Sequence, residues 1–271
     1  RRAIAMYRSL LRRAPDDADV RIGLGRALAR SNRTAEAEKS FREAIMVEPG
    51  YWQAYNSLGN FLFNLGRSDE AAAAYSRVTE LAPGNATGFN NLGAARMTSG
   101  DLDGAAKAFK QSLEIEQASS AYSNLGTVYY AVGRMEEAAT MYKRATELSP
   151  EDYVTRGSLG DAHWFLPGGR EQALQDYRRA VGLAEKALAE MLLLCNSRRA
   201  VPPVHEQACK LTALMAGLQG SGSRSGASLA ILAPMPKCAC STPRWGVTVF
   251  ARPCARPASM SRWPSRRRPA A

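Results

Sequence analysis

Residues 52–85 decide the fold, and their sequence is WQAYNSLGNFLFNLGRSDEAAAAYSRVTELAPGN. Apolar residues recur every three or four positions in both halves, which is the period of an amphipathic α-helix. Gly66 falls between the two helical patterns, where glycine adopts the left-handed backbone at low cost. Ser68 is a candidate N-cap for the second helix, and Pro83 with Gly84 ends it. The stretch therefore predicts two helices joined by a tight turn.

The same pattern recurs along residues 1–194. Each complete copy carries a Leu-Gly pair, an alanine further on and an aromatic residue four positions after that alanine. Small residues let paired helices approach closely, and we expect the aromatic ring to fill the gap toward the neighbouring repeat. The glycines are Gly25, Gly59, Gly93, Gly126 and Gly160, the alanines Ala37, Ala71, Ala105, Ala138 and Ala173, and the aromatics Phe41, Tyr75, Phe109, Tyr142 and Tyr177.

These copies divide the chain. A partial repeat at 1–17 precedes complete repeats at 18–51, 52–85, 86–118, 119–152 and 153–194. The sequence begins inside a predicted helix and without methionine, so we expect the chain to be a fragment of something longer.

The period of about 34 residues and its marker residues resemble the tetratricopeptide repeat (TPR) family. The resemblance covers residues 1 to about 190 and implies an all-α, right-handed solenoid of about five and a half helix-turn-helix repeats. The closing segment WFLPGGREQALQDYRRAVGLAE (residues 164–185) is similar to bacterial TPR regions attached to serine/threonine kinases or other regulators. Its second helix is expected to run from Arg170 to about Leu194.

The resemblance also implies a binding surface, because first helices line the concave groove of a TPR solenoid. The candidate groove residues are Asn56, Asn60, Asn90, Asn91, Asn124, Thr127, Tyr130, Asp161 and Trp164, with Arg26, Arg30, Gln53, Ser57, Asn64 and Ser158 on the same face. A carboxamide can donate and accept at once, so it suits the backbone of an extended peptide. Asn91 and Asn124 are similar in position to the asparagine ladder of O-linked N-acetylglucosamine transferase. The basic clamp of chaperone-binding TPR domains is missing, and an ordinary solvated polar face remains the alternative.

Residues with catalytic chemistry are scarce. His163 falls at a packing position, and His205 lacks the second histidine of a zinc-protease helix. We find no phosphate-binding glycine loop, no nucleophile-elbow pattern and no apolar run long enough to span a membrane. We therefore predict no catalytic, cofactor-binding or metal-binding residues and no cofactor. A bacterial, cytoplasmic location is expected, because residues 1–194 contain no cysteine.

The expected function is a non-catalytic scaffold for protein–protein interaction, with a peptide or partner protein in the concave groove. The alternative is a regulatory TPR region cut from a larger bacterial effector, such as a serine/threonine kinase or an enzyme like O-linked N-acetylglucosamine transferase.

Residues 195–271 differ in character from the repeats. They hold twelve lysines and arginines against one acidic residue, Glu206, so the formal charge of +11 belongs to them. All five cysteines lie there, and we expect a mostly disordered basic tail. Three interpretations stay open: a basic arm with weak, non-specific affinity for nucleic acid or acidic membrane, a metal or disulfide site at Cys238 and Cys240, and an out-of-frame translation. Residues 204–219 could form a short amphipathic helix.

Overall fold

The computed structural model describes residues 2–196, and its side chains are described for residues 2–190. Eleven α-helices and no strand occupy the described range, which confirms the all-α class. The helices are α1 (Arg2–Arg13), α2 (Ala18–Ala29), α3 (Thr34–Val47), α4 (Trp52–Asn64), α5 (Ser68–Leu81), α6 (Ala86–Ser99), α7 (Leu102–Ile115), α8 (Ser119–Ala131), α9 (Met135–Leu148), α10 (Tyr153–Phe165) and α11 (Arg170–Asn196).

The helices pack as a solenoid of successive pairs. The most extensive contacts join the two helices of one repeat, as in α4 with α5 or α8 with α9, and each second helix then packs on the next first helix. First helices also contact each other across repeats, α2 with α4, α6 with α8 and α8 with α10. Among the described residues, successive second helices do not pack on each other in this way. The first helices are therefore closer together and lie on the inner side of the stack.

Glycine and an aromatic ring form the centre of each repeat. A Cβ at any of the five marker glycines would lie 2.6–2.8 Å from a ring atom of the marker aromatic in the same repeat. The five marker alanines are completely buried. The prediction that these positions allow close approach is confirmed, but the ring does not only face the neighbouring repeat. It lies on its own glycine, and Phe41 also contacts Phe61 of the next repeat, with 5.4 Å between ring centroids.

The turns follow the sequence with one correction. Gly66 has a φ of 75° and Asn32 a φ of 57°, both in the left-handed region. Ser68, however, is not the cap of α5. It is the first residue of that helix and is buried, whereas Arg67 occupies the cap position without a side-chain bond to the helix amides. The Arg67 guanidinium instead binds Glu70 one turn later and reaches Glu38 of the preceding repeat at 2.8 Å.

The last helix is long, as expected, and ends two residues beyond the predicted Leu194. Our predictions for the basic tail, for Cys238 and Cys240, for His205 and for a helix at 204–219 lie outside the described residues. Within residues 2–196, no helix combines the length and apolar character needed to cross a membrane.

Candidate peptide-binding groove

Four of the candidate asparagines are joined in pairs between neighbouring repeats. Nδ2 of Asn91 on α6 donates to Oδ1 of Asn56 on α4 at 3.2 Å. Nδ2 of Asn124 on α8 donates to Oδ1 of Asn90 on α6 at 3.1 Å. All four side chains are half-buried. The sequence predicts their shared face, and the structure adds that they bind each other along the stack.

Each pair keeps hydrogen-bonding capacity for a ligand. A carboxamide has two N–H donors and a carbonyl that can accept two bonds, and one contact uses only part of this. In the first pair, the NH2 group of Asn56 and the carbonyl of Asn91 have no other partner among the described residues, and neither is a fully buried atom. One donor group next to one acceptor matches a peptide unit, which offers both kinds of group.

A second set of candidate groove residues accepts hydrogen bonds from the marker tyrosines. The residue directly after the marker glycine accepts a hydrogen bond from the tyrosine hydroxyl of the same repeat. The pairs are Tyr75 with Asn60 at 2.8 Å, Tyr142 with Thr127 at 3.1 Å and Tyr177 with Asp161 at 2.6 Å. These rings are mostly buried, and a hydroxyl in such a place needs a partner. Asn60, Thr127 and Asp161 therefore have a structural role in addition to their place on the groove face.

In the two remaining repeats the marker aromatic is phenylalanine, and the residue after the glycine is not a hydrogen-bond acceptor. Their marker aromatics are Phe41 and Phe109, and the residues after their glycines are Arg26 and Ala94. Neither side chain can accept a hydrogen bond, and neither phenylalanine has a hydroxyl to donate. Aromatic and groove residue are thus matched in all five repeats.

This matching predicts the outcome of a substitution and its rescue. Phe109→Tyr should lower the free energy of unfolding by about 1 kcal/mol, because the new hydroxyl at the groove edge has no acceptor at Ala94. Phe109→Tyr together with Ala94→Asn recreates the Tyr75–Asn60 arrangement and should recover most of that loss. Denaturant unfolding of both variants checks this, and Ala94→Asn alone is the control. A double variant no more stable than the Phe109→Tyr single variant would contradict the matching.

The groove face is basic at its N-terminal end. Arg26 on α2 and Arg30 at the C-cap of that helix are exposed, and Nη2 of Arg26 donates to Oγ of Ser57 on α4 at 2.9 Å. The amide pairs follow on α4, α6 and α8.

The C-terminal end of the face is aromatic and acidic. Tyr130 on α8 and Phe165 on α10 meet edge to face, with 6.1 Å between their centroids. Trp164 is exposed, and the guanidinium of Arg170 lies over its ring at 5.5 Å. Asp161 lies one helical turn before Phe165, and its charge contributes to raising the pKa of Tyr130, after the larger effect of burial. The predicted residues Tyr130, Asp161 and Trp164 thus lie at one end of the groove.

Burial raises the pKa of the Asp161 carboxyl, and the hydrogen bond from Tyr177 opposes this only in part. A carboxyl whose pKa is higher in the folded state makes its full contribution to stability below its ordinary pKa of 3.8 and loses it as pH rises through the folded pKa. At neutral pH the ionised Asp161 therefore lowers the free energy of unfolding relative to a neutral side chain.

Asp161→Asn should accordingly be more stable than the parent at pH 7. Asparagine keeps the acceptor for Tyr177 and carries no charge that must be desolvated. The difference in melting temperature should shrink as the pH falls below the ordinary range of an aspartate, because the parent then carries a neutral carboxyl too. Thermal unfolding of both proteins from pH 7 to pH 3 checks this. The prediction would be contradicted by a variant that melts below the parent at pH 7 and whose melting temperature approaches or exceeds that of the parent as the pH falls.

His163, predicted to be a packing residue, lies between α10 and α11. Its Nδ1 is 2.8 Å from Oδ2 of Asp176, whose other oxygen is 3.4 Å from Nη1 of Arg156. These side chains join the two helices of the last repeat. Among the residues with described side chains, no three His, Cys, Asp or Glu residues are grouped as metal ligands would be.

Comparison with known proteins identifies the family. Two models described as tetratricopeptide repeat match the chain, one at residues 1–46 and 30–86 and the other at residues 84–151. Together they span more than half of the sequence. The chain belongs to the tetratricopeptide repeat family, whose fold is a scaffold for protein–protein interaction.

Solved structures support the same fold. MamA from Desulfovibrio magneticus RS-1, from residue 41 to its end, has a TM-score of 0.57 and 19% identity over 62% of this chain and 96% of that one. YrrB, described as a TPR protein with an unusual peptide-binding site, has a TM-score of 0.55 and 18% identity over 65% and 91%. Cut9–Hcn1 of the APC/C has a TM-score of 0.55 and 20% identity over 80% of this chain and 40% of that one. No curated protein matches the sequence.

Proposed function

We propose that this protein binds an extended peptide segment of a partner protein along the first helices α4, α6 and α8. The observation that carries the proposal is the pair of carboxamide contacts, Asn91 with Asn56 and Asn124 with Asn90. Each contact holds two amides in a fixed relation and leaves donors and acceptors free on the inner face. The neighbouring YrrB is itself described as having a peptide-binding site, which agrees with this use of the fold.

The two ends of the groove give the peptide a direction. The exposed Arg26 on α2 and Arg30 at its C-cap favour acidic side chains at one end. At the other end, Asp161 and its aromatic neighbours favour a positively charged side chain. Between the two ends, the asparagine side chains bind the backbone of the peptide and not its charged groups. We therefore expect the sequence preference of the peptide to be concentrated at its two ends.

The test is a selection followed by a mutational map. A phage-displayed library of linear 12-residue peptides is selected on the full chain, and the enriched peptides are titrated against variants. Asn56→Ala, Asn91→Ala and Asn124→Ala should each weaken binding about fivefold, since a lost hydrogen bond is worth about 1 kcal/mol. Melting temperatures are compared in parallel, because each change also removes a contact between repeats.

Lys107→Ala and Lys143→Ala are the matched controls. Both lysines are exposed on second helices, α7 and α9, away from the inner face. We expect peptide affinity to be unchanged in both variants. Loss of affinity in these variants, with none in the asparagine variants, would place the binding site on the outer face and overturn the proposal.

A further inference from the structure

The carboxylate of Asp161 would be stabilised by a nearby positive charge. Its Oδ1 accepts a hydrogen bond from the Tyr177 hydroxyl, whereas Oδ2 has no hydrogen-bond partner among the described residues and is not fully buried. No lysine, arginine or histidine nitrogen of the described side chains lies within 4.0 Å of this carboxylate. A half-buried carboxylate without a cation loses hydration and receives no ion pair in exchange.

The surroundings of this carboxylate are aromatic. The ring centroids of Tyr130 on α8 and Phe165 on α10 are 6.1 Å apart. Phe165 follows Asp161 by one helical turn, and the Asp161 charge acts on the Tyr130 hydroxyl. The exposed fraction of Phe165 is 59% and that of Trp164 is 44%, so large apolar area faces solvent next to the charge. Aromatic faces attract cations through the ring quadrupole, most often the guanidinium of arginine.

The chain already uses this contact nearby. The guanidinium of Arg134 lies 4.7 Å from the ring centroid of Tyr129, and that of Arg170 lies 5.5 Å from the ring of Trp164. Neither arginine forms an ion pair with Asp161. The carboxylate and the Tyr130–Phe165 pair thus remain available to a guanidinium from another molecule.

We propose that Asp161, Tyr130 and Phe165 form a subsite for an arginine side chain of the bound peptide. The inference rests on the proposed peptide groove and specifies the chemistry at its C-terminal end. A planar guanidinium can donate two hydrogen bonds to a carboxylate while its face or stem lies on an aromatic ring. A neutral apolar side chain in the same place would remove water from Asp161 without compensating its charge, so charge complementarity selects a cation.

The subsite is tested with a probe too short to reach the amide pairs. The full chain is labelled with 5-fluorotryptophan, and the ¹⁹F resonance of Trp164, one helical position from Phe165, is assigned with Trp164→Phe. The capped tripeptide acetyl-Gly-Arg-Gly-amide should shift this resonance. The same tripeptide with citrulline, which is neutral and nearly isosteric with arginine, should not. A lysine tripeptide should act more weakly, because an ammonium cannot form the bidentate contact.

Asp161→Asn keeps the acceptor for Tyr177 and removes the charge, so it separates the subsite from the fold. It should lower the affinity for the arginine tripeptide, measured from the ¹⁹F titration, about tenfold, which is the effect of losing a hydrogen bond to a charged group. Asp103→Asn is the matched control, since Asp103 is an exposed aspartate in the first turn of α7. It should leave the titration unchanged.

Equal shifts with arginine and citrulline, or an unchanged response in Asp161→Asn, would overturn the subsite. The groove proposal is judged separately, by the asparagine variants and the selected 12-residue peptides. Peptides that depend on Asn56 and Asn91 but not on Asp161 would leave the groove standing and remove the subsite. A response to the arginine tripeptide without any asparagine-dependent peptide would remove the groove and leave a site for arginine at α8 and α10.

Discussion

Gly126→Leu should lower the free energy of unfolding by about 3 kcal/mol, the upper end of the range for overpacked cores. A Cβ alone at this position would lie 2.8 Å from Cδ1 of Tyr142, and the rest of a leucine side chain extends further into the ring. Either the ring leaves its place between the helices or α8 and α9 move apart. Urea unfolding of the full chain, followed by circular dichroism, measures the loss.

Gly157→Ala is the control for this prediction. Gly157 lies inside α10, and a Cβ there would meet nothing within 4 Å. Alanine in an open helical position should therefore raise stability, by up to about 1 kcal/mol through its better helix propensity. Opposite signs at the two glycines are expected. A Gly126→Leu variant as stable as the parent would show that the close approach of α8 and α9 is not required.

Phe109→Ala should cost about 3–5 kcal/mol, the usual cost of removing a buried phenylalanine. Its side chain is completely buried in α7, in the middle of the stack. Each repeat contacts only its neighbours, so a cavity there should also weaken the coupling between the two halves of the solenoid. We expect the urea transition to broaden or divide into two, because the two-state approximation then fails.

Met46→Ala provides the comparison, since Met46 on α3 is 78% exposed and its loss leaves no cavity. Its effect should stay within about 0.5 kcal/mol. A cooperative, unchanged transition in Phe109→Ala would contradict the description of Phe109 as the centre of its repeat.

The scaffold could be predicted because its rules are local. A glycine and an aromatic residue like Gly59 and Tyr75 recur 16 residues apart in the first four complete copies and 17 apart in the last. A period of 3.6 residues places both on faces that must meet. The turn at Gly66 follows from the left-handed backbone that glycine tolerates. The cap of α5 was predicted wrongly at Ser68, because a serine before an acidic pair resembles a cap although the helix begins at the serine itself.

The groove contacts depend on distances that one repeat does not contain. Asn56 and Asn91 are separated by one repeat, so their contact depends on the rise and rotation between repeats. The environment of Asp161 depends on how α10 approaches α8. In contrast, the tyrosine matching was visible in the sequence: an acceptor follows the glycine where the aromatic is tyrosine, as at Asn60, and none does where it is phenylalanine, as at Ala94.

The most direct measurement of the peptide groove is the set of side-chain amide resonances of the asparagines. A ¹H–¹⁵N spectrum of the full chain, recorded with and without a selected 12-residue peptide, reports on each NH2 group separately. We expect the side-chain resonances of Asn56, Asn90, Asn91 and Asn124 to shift together along one titration curve, while the backbone amide resonances of Lys107 and Lys143 stay in place. Shifts confined to the second helices, with the four asparagine resonances unmoved, would contradict it.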